Sequence, residues 1–176
     1  MNYDAVDTFA VLLKRWLDSA VAHGDVVAHH FWTYKSIDPV TGQPPVLEVP
    51  YVVVDIPAGQ PAGGLKLKAN VLRQVEQERT RITVQIGGRM QTSLNTGTSG
   101  TMVGGFDADV KPLVTVVKDF IQRNPTLVAP AEVLGFAGEF VACWMDQPSD
   151  QPFRVKDHEG HTFWVLLEYM TKTKEA

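Results

Sequence analysis

His161-Thr-Phe-Trp-Val-Leu-Leu-Glu-Tyr-Met170 is the stretch around which the rest of the chain is organised. Phe163, Val165, Leu167 and Tyr169 fall on one side of a two-residue period, the side-chain period of a strand. Trp164 and Leu166 fall on the other side, so part of the segment is expected to be covered on both faces. A strand of that kind belongs in the middle of a sheet. Only the short polar stretch 171–176 follows it.

Working outward, residues 153–156 and 161–170 are predicted to form a hairpin around Asp157-His-Glu-Gly160, with Gly160 supplying the turn conformation. Residues 136–145 are read as a strand and 146–152 as a loop. Further back, Val110, Leu113, Val114, Val117, Phe120 and Ile121 make the apolar stripe of a helix ending near Arg123. Asp107 or Asp109 is expected to cap it, Pro112 is tolerated in its first turn, and Asn124-Pro125 stops it. A helical turn is read at 131–134.

The first half begins with a helix over residues 4–23. Phe9, Leu12, Leu13, Trp16, Leu17, Ala20 and Val21 form its stripe, Asp4 is its expected cap, and Gly24 its stop. Strands are read at 26–34 and 49–56, with a loop at 38–45 on turn chemistry. Residues 65–76 alternate and are taken as a strand. Residues 77–80 close a hairpin onto 81–86, where Ile82, Val84 and Ile86 point inward. The sum is an α+β sandwich in a single domain: an antiparallel or mixed sheet with two amphipathic helices packed on it.

Residues 87–105, Gly-Gly-Arg-Met-Gln-Thr-Ser-Leu-Asn-Thr-Gly-Thr-Ser-Gly-Thr-Met-Val-Gly-Gly, interrupt that pattern. A long loop without structure of its own is a surface loop or a functional one. In the second case it is an arm that orders against a neighbouring subunit. Met90, Leu94, Met102 and Val103, with Phe106 just beyond, are then its anchors. Its glycines lack the Lys-Ser/Thr ending of a phosphate loop.

The 176 residues are enough for one real core, and the net charge of −4 offers no footprint for gripping phosphate backbones. The single cysteine, Cys143, sits in an apolar run and allows no intramolecular disulfide. The start of the chain lacks the pattern of a signal peptide, and no apolar run is long enough to span a membrane. No cofactor and no catalytic set is expected. No Gly-x-Ser-x-Gly or His-Glu-x-x-His motif occurs, and the pairs Asp107/Asp109 and Asp4/Asp7 read as helix caps. No metal site is expected. The alternative pair is His158 and His161, which flank a turn; His29 and His30 are adjacent on a strand and point to opposite faces.

The element order, with Val-Pro-Tyr-Val-Val-Val-Asp-Ile56, Arg-Ile-Thr-Val-Gln-Ile86 and Phe-Trp-Val-Leu-Leu-Glu-Tyr-Met170, resembles the tail-terminator proteins of long-tailed bacteriophages. Segment 87–105 and the hairpin around 157–160 depart from that family. The resemblance implies a structural virion protein of the tail or neck, assembled in the host cytoplasm. It implies a ring of copies, a hexamer, that ends tail-tube growth and joins the tail to the head connector. Its partners would be the tail-tube protein, neck or connector proteins, and the sheath if the tail is contractile. DNA would pass through the lumen without specific binding. The family carries no catalytic residues to transfer. The alternative is a small-molecule-binding protein or hydrolytic enzyme using 87–105 as a lid.

Overall fold

The computed structural model describes residues 3–46, 48–57, 65–70, 75–89, 110–125, 138–155 and 158–172. In chain order these form α1 (Tyr3–Ala22), β1 (His30–Thr33), β2 (Tyr51–Asp55), β3 (Leu65–Asn70), β4 (Val75–Arg89), α2 (Lys111–Arg123), β5 (Gly138–Val155) and β6 (His158–Lys172). The strands make one six-stranded sheet in the order β1-β2-β4-β6-β5, with β3 also paired to β4. β1 and β2 run parallel and every other pair antiparallel, so the sheet is mixed. This is the α+β class that the sequence predicts.

β6 lies between β4 and β5, as its two-sided apolar pattern requires. Phe163, Val165, Leu167 and Tyr169 are buried on one face. Beside them on that face stand Ile82, Val84 and Ile86 of β4, then Val52 and Val54 of β2. The two helices close this face. α1 contributes Phe9, Leu13 and Leu17 to the core cluster, and α2 contributes Leu113, Val117 and Phe120. The helices meet through Phe120, whose ring stands 5.8 Å edge-on to Phe9 and 5.6 Å from Trp16. On the opposite face Trp164 and Leu166 are half-buried.

Helix ends follow local chemistry at one end and burial at the other. Gly24 takes φ 79° after α1, and Asp25 N–H donates to Ala20 O at 2.9 Å, a left-handed stop. Asp4, expected as the cap, lies inside the first turn, because the helix already begins at Tyr3. α2 ends as read: Asn124 returns its N–H and its amide to Phe120 O. Its start differs. The cap position is Val110, with no side-chain cap bond, rather than Asp107 or Asp109, which lie outside the described residues. Val110 is fully buried over Gly88, so packing sets this helix start.

The strands are longer than the sequence suggests. Residues 77–80, read as a turn, are paired inside β4 with β6, and also with β3 up to Arg79. Thr80 is buried there, its hydroxyl 2.7 Å from that of Tyr169, which satisfies polarity inside the core. Gly87, Gly88 and Arg89, read as the start of a loop, complete β4. β5 is one strand: 146–149 interrupt its register, but Asp150, Gln151 and Pro152 pair with β6. Three expected strands at this end are therefore two. β1 is shorter than expected, starting at His30 rather than 26.

Gly160 corrects the hairpin. It does not form the turn; it is paired with Gly87 on one side and Phe153 on the other. A Cβ at Gly160 would lie 1.8 Å from Ile86 O, so the glycine permits a close backbone approach in mid-strand. The reading at 131–134 lies outside the described residues.

Candidate functional site

The chain between β1 and β2 is where apolar surface is held in water. Two parallel strands cannot be joined by a tight turn, so a long connection is obligatory. On it Ile37, Val40 and Val46 are 61%, 90% and 83% exposed. Scattered surface aliphatics are ordinary, but these stand on a loop with its own internal bonding. Asp38 O accepts from Gly42 N–H and Asp38 N–H donates to Gln43 O, both at 2.8 Å. The Asp38 carboxylate accepts from Val40 N–H, also at 2.8 Å. Gly42 supplies φ 68° for the tight return. Val40 is thus fixed at the tip of a hydrogen-bonded turn and remains uncovered within the described chain.

A three-residue polar cluster anchors the loop to α1. The Tyr34 hydroxyl donates to Asp7 Oδ1 at 3.0 Å, and the Lys35 ammonium pairs with Asp7 Oδ2. Burial, then the bond to Asp7, pushes the Tyr34 phenol up to about 12. The bond to Asp7 likewise raises Lys35. Asp7, read from the sequence as a carboxylate of the first helical turn, therefore also holds the chain beyond β1. At the other side of the loop, Glu48 stands 3.3 Å from His30, whose ring stacks at 6.4 Å on Trp32. Trp32 Nε1 is enclosed and has no acceptor among the described residues.

The sheet face away from the helices is chemically mixed. Tyr51 lies across Gly87, where a Cβ would fall 2.3 Å from the ring, and 5.8 Å from the His158 ring. Burial raises the Tyr51 phenol. Arg81 stands 4.2 Å over the Trp164 ring, and Arg79 donates to Glu168 at 3.0 Å. Such aromatic and guanidinium pairs suit a protein contact.

Of the residues the sequence singled out, Met90, Leu94, Met102, Val103 and Phe106 all lie outside the described residues, as does the rest of 90–109. His158 and His161 are both on β6, three residues apart, and so face opposite sides of the sheet. His161 stacks against Phe163, while His158 lies beside Tyr51, so the strand does not bring the two to one ion. Among the described residues no three His, Cys, Asp or Glu gather as a metal site, and no helix is long and apolar enough to cross a membrane. The sequence reading missed Ile37, Val40 and Val46. The signal available was three aliphatics set among turn formers, where alternation and helical period are both absent. Comparison with family models and with curated proteins gives no match.

Proposed function

We propose that this chain is a structural assembly protein of a bacteriophage tail. It forms a ring at the top of the tail tube, ends tube growth and joins the tail to the head connector. The observation that carries the reading is the hydrogen-bonded turn that holds Val40 in water, with the exposed Ile37 and Val46 on either side of it. A loop stiffened to present aliphatics has lost its ordering entropy in advance, which favours a protein contact over a solvated connection. A ring subunit needs such surfaces to meet its neighbours.

The partners are further copies in a ring of six, the tail-tube protein, and neck or connector proteins, with the sheath added in a contractile tail. The net charge of −4 repels passing phosphates, so DNA would cross the lumen without being held. The place of the protein is the virion, after assembly in the host cytoplasm. The test is the particle mass of the purified chain, alone and mixed with tail tubes. Ring-sized particles support the reading. A chain that stays monomeric in both conditions overturns it.

A further inference from the structure

We propose that Asp7, Tyr34 and Lys35 form a latch that sets the pose in which the Val40 turn meets the next copy. This deepens the ring reading and rests on it.

The stretch 33–43 fixes its own shape. Thr33 N–H donates to Ser36 Oγ and Ser36 N–H donates to Thr33 O, both at 2.9 Å. Lys35 N–H donates to Thr33 Oγ1 at 3.3 Å. Further on, Asp38 closes the turn with Gly42, Gln43 and Val40, each at 2.8 Å. Every one of these bonds begins and ends inside the stretch. They make a stiff piece and leave open where it lies against the rest of the molecule.

Its place is set at the root. Tyr34 N–H carries the pairing with β2 one residue further, to Val54 O at 2.9 Å. Beyond that, among the described residues, the hydrogen bonds from the stretch to the body of the fold converge on one carboxylate. The Tyr34 hydroxyl donates to Asp7 Oδ1 at 3.0 Å, and the Lys35 ammonium bonds to Asp7 Oδ2. Consecutive side chains of an extended chain point opposite ways, so two that reach a single carboxylate require the chain to have turned there. One bond would leave a pivot. Two bonds from neighbouring residues, to the two oxygens of one group, remove it. The Lys35 ammonium lies 5.5 Å from the centre of the Tyr34 ring, which closes the triangle. Both feet of the latch are firm. The Tyr34 ring packs against the core cluster, and Asp7 stands on α1 between the buried Val6 and Thr8.

Magnitude separates pose from stability. The side chains of Lys35 and Asp7 are 53% and 31% exposed, and a pair of that kind adds little to folding. Association is different. A loop already in place has no ordering left to do, whereas a swinging one must be ordered as the partner binds. The latch should therefore show more in assembly than in melting. Val40, exposed at the tip, is where the pose is read.

The test is a double-mutant cycle between Asp7→Ala and Val40→Asp. It is read as the concentration at which rings dissociate, on tail tubes if the wild type needs them. Hydrogen exchange over 35–43 is followed alongside, on the chain diluted until unassembled. Asp7→Ala is expected to melt cooperatively, to exchange faster over 35–43, and to weaken assembly by about fivefold. With Val40→Asp already present, the same substitution is expected to change assembly by less than about twofold, because the latch acts through the turn. Should Asp7→Ala fail to melt cooperatively, Tyr34→Phe takes its place, keeping the aromatic ring and the helix carboxylate. Assembly unchanged by the latch variant, or weakened equally with and without Val40→Asp, overturns the latch and leaves the ring reading standing. Wild-type exchange over 35–43 in the latch variant also overturns it. A wild type that forms no ring, alone or on tubes, overturns the ring reading and this inference with it.

Discussion

Val40 and Tyr34 are the residues on which the loop beyond β1 turns. Val40 is almost wholly exposed, so Val40→Asp removes no core contact and should shift stability by no more than about 0.5 kcal/mol. Ring assembly should weaken by about tenfold, equivalent to ~1.4 kcal/mol, read as the concentration at which particles dissociate. Unchanged assembly would take this loop out of the interface. Tyr34 sets a pH dependence. Its phenol holds its proton up to about 12 against an ordinary 10.0, so the proton is bound more tightly in the folded chain. Its contribution is complete below pH 10 and is lost as pH rises from there to 12. Lys35, also raised by Asp7, shifts in the same sense. Melting followed from pH 9 to 12 should show the advantage of the wild type over Tyr34→Phe shrinking through that window. Neither residue was singled out in the sequence. Tyr34 was the last residue of an expected strand, and its bond to Asp7, 27 positions away, carries no local signature.

At the scale of elements, β6 was the most legible because two faces of apolar residues leave a strand few places to go. α1 and α2 were legible for the same reason at the helical period, and both stops were readable in Gly24 and Asn124-Pro125. Turns were read less well. Residues 77–80 are polar, which reads as a turn, yet ladder bonds from β6 and β3 hold them extended. Polarity tells of solvent, whereas pairing is decided by strands distant in sequence. Gly160 shows the same limit: a glycine beside Glu159 and His158 reads as a turn residue, and only the approach of Ile86 O explains it. Gly160→Ala should therefore destabilise the chain by about 3 kcal/mol, since neither neighbouring backbone can give way cheaply. Urea unfolding measures this. A loss under about 0.5 kcal/mol would mean that β4 and β6 are not so closely apposed there.

For the whole molecule, the helical layer and sheet account for where the apolar side chains of α1, α2, β2, β4 and β6 are buried. They do not account for the exposed Ile37, Val40 and Val46. The proposed ring would give these residues a surface to meet. The sequence showed the class of fold through its two periodicities. It left the candidate contact surface unread, because an exposed aliphatic becomes informative only when its neighbours are known. The most direct measurement is native mass spectrometry of the chain, alone and after incubation with tail tubes. The account expects particles of six times the 19.4 kDa chain mass in at least one of the two conditions. A chain that remains at 19.4 kDa in both would contradict it.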